Sequence, residues 1–134
     1  MVCIYCSGKT SVINSRLQKK LNQTWRRHKC LVCNGLFTSL EHVDLPSSLL
    51  FQKDMALTEP FRRDELYISI YEACKHRNDA AGAATALTDT ILGKLRLKIE
   101  GAELTRSIVI SVSSDVLKHF DKAAATSYIA YHPL

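Results

Sequence analysis

The sequence has few of the features that mark a membrane protein or a secreted one. Proline and glycine are scarce, with only three prolines and five glycines among the 134 residues. The sequence also has no run that approaches the ~18–20 consecutive apolar residues of a membrane-spanning helix. Its first residues lack the charged segment and apolar stretch of a secretory signal. We therefore expect a cytoplasmic protein with no membrane partner.

The sequence also lacks a recognisable catalytic set. The five histidines are scattered, and no paired carboxylates or Ser/His/Asp arrangement is apparent. Residues 8–10 (GKT) resemble the end of a phosphate-binding loop, but Cys3 stands where the full motif needs glycine. The helix that should follow the motif is also missing, because a strand is predicted there. We expect that the protein is not an enzyme, and nucleotide hydrolysis is the weakest hypothesis for it.

Four of the five cysteines form two Cys-x-x-Cys pairs. Cys3 and Cys6 are followed, after 23 intervening residues, by Cys30 and Cys33. Two such pairs complete a tetrahedral site of four sulfurs, which suits zinc. The alternative, two disulfides, needs an oxidising compartment that nothing in the sequence indicates. Because all four ligands are thiolates, no position remains for an activated water, and we expect one structural zinc ion per chain.

The positive charge is concentrated around the same cysteines. Residues 1–45 contain seven basic and two acidic residues, whereas residues 46–134 contain eleven of each, so the first third carries the whole net charge of +5. This asymmetry indicates a nucleic-acid-binding module joined to a neutral one. A basic surface that is merely solvated is the alternative. The densest charge lies in residues 24–30 (TWRRHKC), beside the second pair.

Residues 11–17, 24–29 and 36–45 are predicted to form a small three-stranded antiparallel sheet. Side chains alternate between the faces of a strand, so each face of the second strand carries at least one arginine. A sheet this small buries little apolar area, and zinc should therefore supply most of its folding energy. Its basic side could lie along phosphates, each neutralised phosphate steepening the salt dependence by ~0.9.

The remainder of the chain predicts an α-rich domain, which makes the fold class α+β. Residues 46–48 are read as a linker between domains 1–45 and 46–134. A short β-hairpin follows, with strands at 49–53 and 57–61 and a turn at 54–56. About four helices are expected, from 62 onwards, at 80–98, at 105–119 and at 122–130, the last capped by Asp121 and ended by Pro133. Cys74 falls on the apolar stripe of the first helix and is expected in the core. On the third helix the residues expected to face inward are Ile108, Val109, Val112, Val116 and Phe120.

The sequence resembles the NrdR family, the bacterial repressors of ribonucleotide reductase genes. The resemblance begins at Cys3 and runs through most of the chain in order and spacing. Its motifs lie in both modules, at residues 12–17 (VINSRL), 26–27, 30–34 (CLVCN), 37–41 (FTSLE), Lys53, 59–61 (EPF), 72–77 (EACKHR) and 117–122 (LKHFDK).

The resemblance implies a zinc ribbon followed by an ATP-cone, a regulatory domain that binds adenine nucleotides. In this family ATP or dATP changes the oligomeric state, and the dATP-loaded homo-oligomer represses reductase genes by binding double-stranded operator repeats upstream of them. Several ribbons must then act together, because one alone makes too few contacts for tight binding.

The resemblance also implies roles for particular residues. Its DNA-facing positions are Arg16, Arg26 and Arg27, and Lys29 adds a charge beside them. Trp25 and His28 stand where the family carries arginines, and we expect Trp25 to pack on the ribbon. The nucleotide contacts implied are Phe51, Lys53 and Glu59, with Lys53 on phosphate and Glu59 hydrogen-bonded to the nucleoside.

An alternative function is a zinc-ribbon protein that binds nucleic acid constitutively and uses its second domain only as an oligomerisation scaffold. Glu65 motivates it, because the family has a phosphate-contacting lysine at this place.

Overall fold

The computed structural model describes residues 1–132, and the chain divides into two compact units. The first comprises Met1–Val43 and the second begins at Asp44. The first is a three-stranded antiparallel sheet with a cluster of four cysteines, and the second is mainly helical. The α+β fold class expected from the sequence is confirmed.

The first unit consists of β1 (Thr10–Gln18), β2 (Gln23–Cys30) and β3 (Leu36–His42), in the order β1-β2-β3. β2 is the central strand and pairs antiparallel with both neighbours. A β-bulge between Val12 and Asn14 inserts one extra residue into β1, so that Arg16, rather than its neighbours, lies beside Trp25. The third strand is shorter than the predicted 36–45.

The predicted linker, residues 46–48, lies in a short helix. Residues Leu45–Ser48 form a single helical turn, α1, with a proline in its first turn. Proline is suited to this position because the amide there has no intrahelical partner.

The second unit contains a three-stranded sheet rather than only a hairpin. β4 (Leu50–Gln52) and β5 (Thr58–Pro60) form the predicted hairpin, and β6 (Glu103–Thr105) adds to the other edge of β4, parallel to it. β6 was not predicted, because a strand of three residues is too short to show an alternating pattern. Asp54 closes the hairpin, its carboxylate accepting hydrogen bonds from the backbone of Ala56 and Leu57.

Four longer helices surround one core: α2 (Arg63–Cys74), α3 (Ala80–Leu95), α4 (Arg106–Phe120) and α5 (Lys122–Tyr131). A 3-10 turn, Arg96–Lys98, extends α3. Thr105 caps α4 through a hydrogen bond from Ile108, and Asp121 caps α5. The predicted stop at Pro133 lies outside the described residues.

The predicted apolar stripes form most of this core. Cys74, Ile70 and Ile91 are fully buried, as expected for stripe residues. On α4 the expectation was partly wrong: Phe120 is 41% exposed, and its ring instead lies under the guanidinium of Arg77, 4.7 Å away. Within residues 1–132, no helix combines the length and apolar character needed to cross a membrane.

Candidate metal centre and ligand-binding residues

The four paired cysteines lie together at one end of the first unit. Their sulfur atoms are all within 4.8 Å of one another, with Cys3 Sγ 3.7 Å from Cys33 and Cys6 Sγ 3.5 Å from Cys30. These distances exclude disulfides, whose sulfurs are about 2.05 Å apart. Cys3 and Cys30 are buried, whereas Cys6 and Cys33 are exposed.

Local backbone conformation lets each cysteine pair turn back on itself. Ser7 and Asn34, the residues after the two pairs, both have positive φ angles, of 59° and 60°, which short polar side chains tolerate. The next residue in each case is glycine. A Cβ on Gly8 would lie 2.8 Å from Val32, and one on Gly35 would lie 2.5 Å from Tyr5, so only glycine fits there without displacing the other loop.

Backbone amides of the two turns point at the sulfur atoms. Cys3 Sγ accepts from Tyr5 N at 3.3 Å, and Cys30 Sγ accepts from Cys33 N at 3.4 Å and Val32 N at 3.3 Å. The hydrogen bond from Cys33, with that from Val32, lowers the pKa of Cys30 to about 6. These donors favour thiolate, the form that binds metals.

The cluster fits a tetrahedral zinc ion. With Zn–S bonds of about 2.3 Å, tetrahedral geometry places the sulfurs about 3.8 Å apart, close to the two distances of 3.7 and 3.5 Å observed here. Four sulfur ligands saturate the coordination, so such an ion could hold the fold but could not activate water.

The four residues expected to face DNA are divided between the two faces of the sheet. Arg16 is the cross-strand partner of Trp25, and Arg27 and Lys29 follow Trp25 at two-residue intervals, so these four residues share one face. We call it the Trp25 face. Arg26 lies on the opposite face, with Glu41, and we call that one the Glu41 face.

The Glu41 face is used within the ribbon itself. Arg26 forms an ion pair with Glu41. Further along β2, the buried ring of His28 stacks on Phe37 with 4.8 Å between centroids, and its Nε2 lies 2.7 Å from the Ser39 hydroxyl.

On the Trp25 face the internal contact of a charged group is with a neutral one: Arg27 Nη1 donates a hydrogen bond of 3.0 Å to the Thr38 hydroxyl. Among residues 1–132, no acidic group lies within ion-pair distance of Arg16, Arg27 or Lys29. Trp25 is half-buried and lies outside the buried cluster of the ribbon. The Arg16 guanidinium stands over its ring, 6.0 Å from the centroid.

The three residues expected to contact nucleotide lie together on the β4–β5 hairpin. Phe51 and Glu59 are cross-strand partners, and Lys53 follows the end of β4. Lys53 Nζ lies 2.9 Å from Glu59 Oε1. The hydrogen bond to Glu59 raises the pKa of Lys53, and the negative charge of Glu65 adds to the effect. A phosphate at Lys53 would therefore meet two carboxylates.

Two cavities lie elsewhere in the second unit, against α5. One, of about 240 Å³, lies between α4 and α5, and the other, of about 260 Å³, between α2 and α5. Neither is lined by the three hairpin residues.

An ionic cluster, which was not predicted from the sequence, surrounds the cap of α5. Asp121 Oδ2 lies 3.0 Å from His76 and 3.2 Å from Arg77, and Arg77 also bonds Asp79. The hydrogen bond from His76, with the backbone amide of Ala124, lowers the pKa of Asp121 to about 2. The sequence predicts only that Asp121 caps α5, because Arg77 and His76 lie 44 and 45 residues before Asp121 in the chain.

A four-cysteine β-sheet unit followed by a helical unit defines the chain as a zinc-ribbon protein with a second, α-rich domain. Residues 1–41 match the family described as "Transcriptional repressor NrdR-like, N-terminal domain". Two curated relatives extend the similarity over nearly the whole chain. Both are named "Transcriptional repressor NrdR".

The relative from Syntrophotalea carbinolica is 30% identical over 133 residues, which cover 98% of this chain and 83% of the relative. The relative from Symbiobacterium thermophilum is 28% identical over 132 residues, covering 98% and 87%. The chain belongs to the NrdR family.

Proposed function

We propose that the protein is a zinc-dependent, DNA-binding transcriptional repressor of ribonucleotide reductase genes and not an enzyme. The observation that carries the proposal is the match of nearly the whole chain to two relatives named as transcriptional repressors. The ribbon supports it, because six of its seven cations lack an ion pair among the described residues. A repressor acts on genes in the cytoplasm, where we place the protein.

One zinc ion per chain is proposed to be held by Cys3, Cys6, Cys30 and Cys33. When bound, it would fix both cysteine turns and so orient β2. The four thiolates leave it a structural role only.

DNA binding is assigned to the ribbon and its residues Arg16, Arg26, Arg27 and Lys29. A single ribbon presents a small basic surface, and its affinity should fall steeply with salt as phosphate counterions return. Binding to operator repeats would therefore need several chains presented together in a homo-oligomer.

The second unit is proposed to act as an ATP-cone that binds ATP or dATP and thereby changes the oligomeric state. Phe51, Lys53 and Glu59 support this role because they lie together on one hairpin. Lys53 would contact phosphate, and Glu59 would hydrogen-bond the nucleoside.

A second candidate is favoured by the charges around Lys53. Because Lys53 is already paired with Glu59 and lies in the field of Glu65, the second unit could serve only as an oligomerisation scaffold for a ribbon that binds nucleic acid constitutively. A nucleotide phosphate would have to displace Glu59 or find other cations.

Calorimetric titration of zinc-loaded protein with dATP and then ATP separates these two candidates. Saturable binding of one or two nucleotides per chain, accompanied by a change in oligomeric mass, supports nucleotide control. If no heat of binding is detected at millimolar nucleotide, the result supports the scaffold.

DNA binding is tested separately, with duplex DNA from upstream of the host's reductase genes. The double variant Arg26→Gln/Arg27→Gln should lose binding while retaining one zinc per chain. Undiminished affinity in this variant would contradict the proposed DNA-binding role.

A further inference from the structure

We infer that only the Trp25 face of the ribbon touches duplex DNA, and that Trp25 itself makes an uncharged contact with bases or sugars at the centre of that face. The inference rests on the proposed DNA-binding function and makes it more specific. It departs from the assignment above at one residue: Arg27 contacts the DNA, whereas Arg26, paired with Glu41 on the opposite face, does not.

Charge is distributed unevenly between the two faces of the ribbon. The ribbon, Met1–Val43, contains a single acidic residue, Glu41. Its carboxylate pairs with Arg26 on its own face, so the Trp25 face carries Arg16, Arg27 and Lys29 with no opposing charge. Phosphates would be attracted to this face and would meet a carboxylate on the other.

The two faces of the ribbon also differ in their exposure to solvent. On the Glu41 face the chain covers its own sheet near the cysteines, since His28, Cys30 and Phe37 are buried there. On the Trp25 face, by contrast, Leu36 and Leu40 of β3 are 44% and 50% exposed. Only the Trp25 face is therefore accessible along the length of β2 and β3.

The Trp25 face also combines side chains of different chemical types. The Trp25 face interleaves an aromatic ring and two leucines with three cations. In protein–DNA interfaces cations meet phosphates, whereas apolar side chains contact sugars and the edges of bases in the grooves. A duplex groove can also admit antiparallel strands. Arg16 lies over the Trp25 ring, so a phosphate bound to Arg16 would bring its nucleotide beside the ring.

Trp25 is the only tryptophan of the chain, so the test can begin without a variant. Zinc-loaded full-length protein is titrated with duplex DNA from upstream of the reductase genes while tryptophan emission and the anisotropy of labelled DNA are recorded together. We expect emission to change and saturate at the DNA concentration that saturates anisotropy. Unchanged emission at saturating DNA would overturn the role of Trp25.

Two arginine variants test the choice of face. Arg26→Gln and Arg27→Gln each remove one charge, so their effects on long-range attraction are matched. We expect Arg27→Gln to weaken binding about tenfold or more and to reduce the salt slope by about one. Arg26→Gln should change affinity less than about threefold, as expected for an exposed ion pair. Equal losses in the two variants would overturn the assignment.

Variants of Trp25 separate contact from folding. Trp25→Ala should lose affinity about tenfold or more, the effect of no longer burying one large apolar side chain at the interface, with an unchanged salt slope and zinc content. Trp25→Phe should restore most of it. If Trp25→Ala binds DNA normally, the ring only packs on the ribbon. If the wild-type protein binds no duplex DNA, both this inference and the proposed function fail, whereas the preceding outcomes overturn the inference alone.

Discussion

Removal of zinc should unfold the ribbon while leaving the helical unit intact. In the ribbon, all of which the structure describes, the buried side chains are Cys3, His28, Cys30 and Phe37. Phe37 is the only large apolar one, and its burial contributes about 1.5–3 kcal/mol. Ordering the backbone costs about 1–2 kcal/mol per residue, so this contribution offsets the ordering of only a few residues.

The metal is the larger stabilising contribution by this comparison. A structural zinc site provides about 10–16 kcal/mol at neutral pH in zinc-finger peptides, several times the contribution of Phe37. The second unit does not depend on it, because its core contains nineteen buried residues. Chelation should therefore convert the ribbon to an unfolded segment and leave the helices folded.

Two spectroscopic signals report separately on the two units. Trp25, the only tryptophan, lies in the ribbon, whereas every helix lies in the second unit. After chelation we expect tryptophan emission to shift towards that of a solvated indole, with the helical circular dichroism retained. Cys30→Ser should reproduce the change, and Cys74→Ala, which removes a cysteine outside the cluster, should retain one zinc per chain.

The result that would refute this reasoning is a stable ribbon without metal. If metal analysis finds no zinc and yet tryptophan emission and amide-exchange protection of the strands are unchanged, contacts other than the metal hold the ribbon. The magnitude assigned to zinc would then be wrong.

Three further predictions concern the second unit. Ile91→Ala, at a fully buried position, should destabilise the helices by about 2–5 kcal/mol in urea unfolding, and Ile91→Val by about 0.5–1.5 kcal/mol. The hydrogen bond from His76 is the main cause that lowers the pKa of Asp121 to about 2. The Asp121 carboxylate therefore stabilises the folded state fully above the ordinary carboxyl pKa, and this stabilisation is lost as pH falls through about 2. Asp121→Asn should thus be less stable than wild type at pH 6 and nearly equal at pH 2, by helical circular dichroism. Lys53→Gln should weaken dATP binding at least tenfold in calorimetry, whereas Lys98→Gln should not.

The sequence predicts the ribbon well because its ligands are read from spacing alone. Two residues between paired cysteines determine a tight turn, and Gly8 and Gly35 are needed because the opposite loop occupies the space of a Cβ. Alternation along β2 predicts that Arg26 and Arg27 point to opposite faces. It cannot predict that Glu41 pairs with Arg26, because that contact depends on the register between β2 and β3.

Helices are predicted from periodicity, and their ends are not. For the first helix the sequence predicts a start near residue 62 and no end, whereas α2 ends at Cys74. Arg77 bonds Asp79, two residues further on, and Asp121 at the start of α5, and the second contact arises from tertiary structure rather than from local sequence. The three residues of β6 likewise form a strand only because the edge of β4 supplies partners.

The hairpin illustrates the same limit for a binding residue. The predicted hairpin strands contain Phe51 and Glu59, and the register makes these two residues cross-strand partners. Whether Lys53 is available to a phosphate is a different question, because it depends on which carboxylates surround its ammonium group. Glu59 forms an ion pair with it, and Glu65 lies in electrostatic reach. A bound phosphate would have to exchange with Glu59, and that exchange would free the Glu59 carboxylate for the nucleoside. The Lys53–Glu59 ion pair is therefore compatible with nucleotide control if phosphate binds Lys53 as the Glu59 carboxylate turns to the nucleoside. If these two events do not occur together, it is compatible with a pure scaffold.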